Sequence, residues 1–395
     1  MAAIKIKDHI LAVGALDWDR RLFDELIPLP DGTSYNAYIV RGATKTALID
    51  AVDPTKTAEL LDNLQEAGVT HIDYLVSQHA EQDHAGAIPE ILELFEEAVV
   101  VTNEKCKAML MDLLLLPEGK FMTVGDGQTL DLGGRTLEFI LAPWVHWPET
   151  MLTYLREDRV LFSCDFLGAH LAQSQPLLRD EARTLEAAKR YYAEIMMPFR
   201  TQIRKHLERL QGLALEMIAP SHGVVYPRPA FILDAYRDWT SDRTRNLALV
   251  PFVSMHGSTR EMVEFLVNAL VRRGVDVIPC NLTHTDIGEL AKELVDASTV
   301  VLATPTVLGG AHPAVAGAAF LANALRPKLK FAAIIGSYGW GGRTVENLLA
   351  SLGHLKVEVL EPVLAKGFPT DKDYRALDKL AAVIAEKHRG ISARP

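Results

Sequence analysis

The chain is poor in cysteine: three in 395 residues, at Cys106, Cys164 and Cys280, with no CxxC pair among them. That spacing excludes a zinc ribbon, a rubredoxin-type iron site and a disulfide framework, and leaves buried reduced thiols as the expectation. Positive charge is also in deficit, with 41 Lys and Arg against 51 Asp and Glu, a formal net charge of −10. Nucleic acid and anionic membrane are therefore poor candidates for the main partner. No apolar run approaches the ~20 residues of a membrane span. The N-terminal stretch MAAIKIKDHILAVGALDWD lacks a basic–apolar–small-residue signal plan, so a cytoplasmic protein is expected. Neither G-x-x-x-x-G-K-[ST] nor G-x-G-x-x-G stands in the loop after Val253 where a phosphate would bind, which makes ATP and NAD unsuitable ligands there.

What is present is a chain of ordinary globular composition, 49% hydrophobic and 23% charged, and too long for one core. Two styles of sequence follow one another. Up to about residue 180 the pattern is mainly β. TSYNAYIV, TALIDAV, IDYLVSQ and AVVVT read as strands, with a helix over 87–96 between the last two. GQTLDL and RTLEFILAP flank Gly133-Gly134 as a hairpin, and TMLTYL and RVLFSCD flank Glu157-Asp158 in the same way. A helical stretch from Glu181 to Leu210 is broken at Met197-Pro198, and the strand LEMIAP precedes the helix PAFILDAYRDWTS. From Asn246 onward strand and helix alternate five times, the signature of a doubly wound parallel sheet. The expected domains are 1–248 and 249–395.

The first domain is organised around His79-Ala-Glu-Gln-Asp-His84, placed in a loop after the strand IDYLVSQ. Four of these six residues, His79, Glu81, Asp83 and His84, are good metal ligands, more than a single structural metal would draw from one loop. Further ligand types recur at strand ends downstream: His146 after EFILAPWV, Asp165 after VLFSC and His222 after MIAPS. Glu81 adds a hard oxygen donor, which favours iron or manganese over an all-imidazole zinc site. His170, Tyr191 and Tyr192 are candidate donors to a bound substrate.

The second domain opens with Ser254-Met-His-Gly-Ser-Thr259 before a helix, where hydroxyls and backbone N–H groups suit a phosphate. Its third strand ends in Thr304-Pro-Thr-Val-Leu-Gly-Gly310 and its fourth in Gly336-Ser-Tyr-Gly-Trp-Gly-Gly342. The candidate cofactor contacts are Ser254, His256, Gly257, Ser258, Thr259, Thr304, Pro305, Thr306, Leu308, Gly309, Ser337, Tyr338, Gly339, Trp340 and Gly341. Three such loops around a switch point resemble flavodoxin and its FMN.

The order H-x-E-x-D-H, then His, Asp and His, resembles the metallo-β-lactamase fold, and HAEQDHAG, APWVHWPETM, LFSCDFLGAH and APSHG resemble the flavodiiron proteins over nearly the whole chain. The resemblance implies an α/β protein, a metallo-β-lactamase-like αββα sandwich followed by a flavodoxin-like sheet. It implies that His79, Glu81 and His146 hold one iron, that Asp83, His84 and His222 hold the other, and that Asp165 bridges them. It further implies a flavodiiron oxidoreductase of the minimal two-domain type. FMN, reduced by an external donor such as rubredoxin or reduced F420, would feed a diiron centre that reduces dioxygen to water, nitric oxide to nitrous oxide, or both. A head-to-tail homodimer is implied, open to a dimer of dimers, with the FMN of one subunit facing the irons of the other and Trp147 and Trp340 at that junction. The rival readings are a zinc hydrolase with an FMN regulatory domain and a redox sensor whose metal site is vestigial.

Overall fold

The computed structural model describes residues 3–391, and the chain divides into two compact units. The first comprises the chain up to Tyr192 together with Phe199–Thr240, and the second comprises Ala193–Pro198 together with the chain from Ser241 onward. The strand Leu247–Phe252 is an integral part of the second unit's sheet, so a border at 248 falls within a strand.

The first unit is built on two sheets. One has seven strands, running in space Ile4–Lys7, Ile10–Ala12, Tyr38–Arg41, Thr46–Ile49, Tyr74–Val76, Val99–Thr102 and Phe121–Thr123. The other has five, Thr129–Asp131, Thr136–Leu141, Met151–Leu155, Val160–Cys164 and Met217–Pro220. Period-2 alternation separates the faces of the larger sheet. Ala47, Ile49, Val76 and Val101 pack with Leu137, Phe139, Met151 and Phe162 of the other sheet. Leu48, Leu75 and Val100 turn the opposite way, onto Leu60, Ile88, Ile91 and Leu110 of the covering helices. On the five-stranded side, the helix Arg200–Leu210 is tied to a strand end, with His206 Nε2 3.0 Å from the Pro143 carbonyl and Arg209 donating to the Leu141 carbonyl at 3.2 Å. This is the αββα arrangement.

Local chemistry changes several expected elements. TSYNAYIV is not one strand: Thr33–Tyr35 pairs with Ala15–Asp17, while Tyr38–Arg41 joins the seven-stranded sheet. The break is at Asn36, whose amide donates to the carbonyls of Pro220 and Gly223, both at 2.9 Å. The helix expected over 87–96 spans Ile88–Leu94, and the stretch after Glu181 is helical to Tyr191, passes through a π-helical turn at Tyr192–Met196 and resumes at Arg200.

The second unit orders its parallel strands as Asp276–Asn281, Leu247–Phe252, Thr299–Val307, Phe331–Tyr338 and Glu358–Val359, that is 2-1-3-4-5, the flavodoxin order. Val250, Val301, Ala333 and Ile335 pack against Met262, Leu266, Leu377 and Leu380 from the helices Ser258–Val271 and Asp371–Lys387. The fifth strand, expected as one piece, is two, Glu358–Val359 and Val363–Lys366, and Pro362 lies in the interruption. Among the described residues no helix is long and apolar enough to cross a membrane.

Gly336 shows how closely the central strands approach. A Cβ built there would stand 2.0 Å from the Thr304 carbonyl oxygen of the paired strand. Gly336→Ala is therefore expected to lower the stability of the second unit by ~1–3 kcal/mol. Urea unfolding followed by hydrogen exchange would show a lower midpoint for amides of the second unit and an unchanged one for the first.

Candidate metal centre

Buried hydrogen bonds draw three strand ends together beneath the centre. Asp50, at the end of Thr46–Ile49, accepts from Gln78 N and Gln78 Nε2, each at 2.8 Å, and from Ser221 Oγ at 2.9 Å. Gln78 precedes His79 and Ser221 precedes His222, so one carboxylate sets the position of two imidazoles. Burial pushes the Asp50 carboxyl up, against these bonds and the nearby His84. The His79–His84 motif, expected as a loop, is partly helical: Gln82–Ala85 form a short turn of helix that carries Asp83 and His84. Asp50, Trp144, Cys164 and Leu167 all adopt positive φ beside the ligand-bearing segments, a concentration of uncommon backbone typical of functional sites.

All seven residues predicted as ligands come together, and they fall into two sets. His79, Glu81, His146 and Asp165 present ligand atoms within 4.8 Å of one another, as do Asp83, His84 and His222. Every imidazole turns its Nε2 inward. Asp165 stands between the sets with one oxygen for each. Its Oδ2 is 3.4 Å from His79 Nε2 and 3.5 Å from His146 Nε2. Its Oδ1 is 3.0 Å from His84 Nε2 and 3.3 Å from His222 Nε2. Glu81 Oε2 lies 3.0 Å from His79 and 3.2 Å from His146, and Asp83 Oδ2 lies 3.0 Å from His222.

The donor set fits a pair of hard cations. Both oxygens of Asp83, Oδ2 of Asp165 and Nε2 of His84 are buried and make no hydrogen bond, although opposite charges stand close by. Buried polar atoms of this kind are costly unless something else completes their coordination. Three carboxylates against four neutral imidazoles give the two sets a formal charge of −3, which a pair of divalent ions would nearly neutralise. The side chains of His146 and Glu81 are 16% and 13% exposed while those of His79, His84, Asp165 and His222 are at or below 1%, so the centre opens to solvent on the His146–Glu81 side.

The predicted second layer divides. His170 is buried with Nδ1 2.9 Å from Thr33 Oγ1, its Nε2 without a partner and its ring 4.9 Å from that of His222. Burial and the neighbouring His222 hold it well below the ordinary imidazole range, so it stays neutral. The Tyr191 hydroxyl is committed to Asp165 Oδ1 at 2.9 Å rather than to open space. Tyr192 does not belong to the centre: the turn of helix carries its hydroxyl to the Trp239 carbonyl, 3.3 Å away. Sequence reasoning missed Glu149, whose Oε1 is 2.6 Å from His79 Nδ1, and the Ser34 carbonyl, 2.6 Å from His222 Nδ1. It also missed Phe23, whose ring lies 4.9 Å from His170 on the hairpin Leu22–Phe23/Ile27–Pro28, and the adjacent Asp24, which burial and then Glu81 and Asp83 hold above the ordinary carboxylate range. Glu149 stands in WPET, close to His146 in sequence, and that proximity was the only available signal.

In the second unit the three predicted loops follow strands that are neighbours in the sheet. Thr259 Oγ1 and Ser337 Oγ are 3.1 Å apart, which joins the first loop to the last. Thr306 Oγ1 and Thr344 Oγ1 are 2.8 Å apart, and a Cβ on Gly342 would meet Thr306 at 2.7 Å. Gly257 caps the helix Ser258–Val271 with φ of 92° and no side-chain hydrogen bond, leaving backbone N–H groups for an anion. Ser254 Oγ accepts from Arg260 N at 3.1 Å. Leu308 and Gly309, both at positive φ, form the tip of a tight hairpin between Val307 and Gly310. Leu308 and Trp340 are exposed, as are His256, Gly339 and Gly341, while Thr304, Pro305 and Ser337 are buried and Ser258 and Tyr338 half-buried. These loops offer a phosphate site and open backbone beside exposed apolar side chains, which fits a flat phosphorylated ring such as FMN.

With no metal between them, the ligands hold one another charged. Burial alone would push His222 down, but the carboxylates of Asp165 and Asp83, 3.3 and 3.0 Å from its Nε2, outweigh it and hold the imidazole up at about 10. His146 is held at about 9 against its burial by Asp165 and Glu81. An imidazole whose pKa is higher folded than unfolded stabilises the fold fully below its unfolded value of ~6.5 and loses that contribution as pH rises through the folded value. Chelated protein is therefore expected to lose thermal stability progressively from ~pH 6.5 to ~10. Over the same window, protein reloaded with a divalent metal is expected to gain on it, because Nε2 must be unprotonated to bind. Thermal melts across that range, with and without metal, check this, and a flat profile for the chelated form would refute the ion pairing.

Comparison with known proteins agrees with the geometry. The family model described as ODP family beta lactamase matches residues 33–223. The chain is 36% identical to a coenzyme F420H2 oxidase of Methanothermobacter marburgensis, over 97% of this chain and 99% of that one. It is 35% identical to a nitric oxide reductase of Moorella thermoacetica, again over 97% and 99%. The solved structure of rubredoxin oxygen:oxidoreductase from Desulfovibrio gigas superposes with a TM-score of 0.94 at 32% identity, covering 98% of each chain. Matches at this identity over nearly the whole of both chains, with a flavo-diiron protein of Clostridium acetobutylicum at 31% identity over 98% of this chain among them, place the chain in the flavodiiron protein family.

Proposed function

We propose that this protein is a flavodiiron oxidoreductase that takes electrons from an external donor through FMN to two iron ions, and reduces dioxygen to water, nitric oxide to nitrous oxide, or both. The observation that carries the reading is Asp165, which aims one carboxylate oxygen at each of two three-residue ligand sets inside one buried pocket. His79, Glu81 and His146 would hold one iron, Asp83, His84 and His222 the other, with Asp165 between them. Ser254, Gly257, Ser258 and Thr259 would hold the FMN phosphate, and the loops at Thr304–Gly309 and Ser337–Gly341 its ring.

When bound, two ferrous ions and a reduced flavin supply the four electrons that take dioxygen to water without releasing peroxide. The chain's own residues prepare the site for this. Tyr191 holds Asp165 by its Oδ1, so the carboxylate keeps one oxygen toward each ligand set. His170, neutral and buried beside His222, adds no charge at the centre. Glu81 and His146 leave the pocket open on one side for a small gas. The curated relatives carry names that specify F420H2 and nitric oxide, and a solved relative carries rubredoxin in its name, so donors and gases of these classes suit this chain. The exposed Leu308 and Trp340 at the flavin loop tips support a head-to-tail homodimer, open to a dimer of dimers, in which a second copy covers them. A reducing cytoplasm suits the three free, buried thiols and ferrous loading alike.

Anaerobically purified protein is expected to contain about two irons per chain and to consume dioxygen or nitric oxide when its flavin is reduced. Asp165→Ala is expected to lose most of its iron and at least ~100-fold of gas reduction, the upper end of the ~10–100-fold that loss of a mere outer-shell partner of a ligand costs. Metal analysis with oxygen- and nitric oxide-electrode assays tests both. Two zincs and no iron from iron-replete cells, or undiminished gas reduction in Asp165→Ala, would overturn the reading.

A further inference from the structure

Two of the inward-facing imidazoles are backed, on the nitrogen turned away from the centre, by partners of different charge. His79 Nδ1 meets Glu149 Oε1 at 2.6 Å, and both side chains are fully buried. His222 Nδ1 meets the Ser34 backbone carbonyl, also at 2.6 Å. Glu149 is itself fixed from two sides: Ala80 N donates to Oε1 at 3.1 Å, and the Asn103 amide donates to the Glu149 carbonyl at 2.6 Å. A second carboxylate, Asp50, lies near His84, but its oxygens are occupied by Gln78 and Ser221.

These two arrangements act differently on a bound cation. A carboxylate that accepts the outer N–H of a ligating imidazole fixes the ring's tautomer and makes its inner nitrogen more basic. A neutral carbonyl fixes the tautomer but brings only a dipole. Because Glu149 is buried, salt does little to screen its charge. We propose that Glu149 is a positioning residue that makes the His79–Glu81–His146 position the tighter of the two, so that this position fills first and empties last. The proposal rests on the two-metal reading given above.

The test uses the full chain, stripped of metal by chelation and titrated with Co2+ under nitrogen, read by calorimetry and by ligand-field absorption. Wild type is expected to bind two ions in separable steps. Glu149→Gln keeps an acceptor for Nδ1–H and for Ala80 N at nearly unchanged volume but removes the charge. It is expected to weaken the tight step ~10–100-fold and leave the second unchanged, so that the steps converge. Matching circular dichroism and melting of the metal-free variant and wild type would separate this from misfolding. Both steps unchanged in Glu149→Gln, or loss in the weak step alone, would overturn the proposal. Independently of any variant, wild-type crystals given one equivalent of Zn2+ are expected to show anomalous density at His79, Glu81 and His146. Equal density at both positions, or density at Asp83, His84 and His222 alone, would overturn it too. A wild-type chain that binds fewer than two ions would instead sink the two-metal reading, and this proposal with it.

Discussion

Asp165 is the constraint on which the first unit depends. Its carboxylate is fully buried, with four imidazole nitrogens between 3.0 and 3.5 Å away. Such a charge is tolerated in a protein interior only when it is paired and its neighbours are held in place. Much of the surrounding structure serves that end. Asp50 binds the ends of three strands together, Tyr191 fixes one oxygen of Asp165, and Glu149 and the Ser34 carbonyl orient two of the imidazoles. The uncommon backbone at Asp50, Cys164, Leu167 and Trp144 belongs to the same arrangement, since side chains from separate strands must turn toward one point.

The second unit solves a different problem. Among the described residues, its three candidate cofactor loops carry no group of metal-ligating side chains, and what they offer is backbone. The helix Ser258–Val271 has a glycine, Gly257, as its cap residue, and glycines at 309, 339 and 341 have open space where a side chain would project. Hydroxyl contacts between Thr259 and Ser337 and between Thr306 and Thr344 keep the loops in register with each other. A neutral ring with one phosphate needs a shaped opening and an anion site. A pair of metal ions needs charge brought inward and fixed. One chain meets both needs with two folds.

Much of this was legible in the sequence. The alternation of strand and helix after Asn246 indicated a doubly wound sheet, because period-2 and period-3.6 patterns differ plainly when each runs for several residues. The seven ligand candidates were legible because His, Asp and Glu at strand ends are few and their order is distinctive. The division of TSYNAYIV between two sheets was not, since Asn36 breaks it through bonds to Pro220 and Gly223, far along the chain. Tyr191 and Tyr192 were indistinguishable as neighbours of one type, and only the turn of the helix sends one hydroxyl to Asp165 and the other to Trp239.

The sequence by itself determined the composition of each site: which donor types are available, in what order, and at the ends of which strands. Those properties are local, set by residue chemistry and by hydrophobic period. The division of the donors into two sets with Asp165 between them was implied by the family resemblance and is seen in the geometry, whereas tertiary structure alone decided that a carboxylate backs His79 while a carbonyl backs His222. Partner choice at that level depends on contacts between residues tens to well over a hundred positions apart, and no local pattern encodes a hydrogen bond such as that between Ser34 and His222.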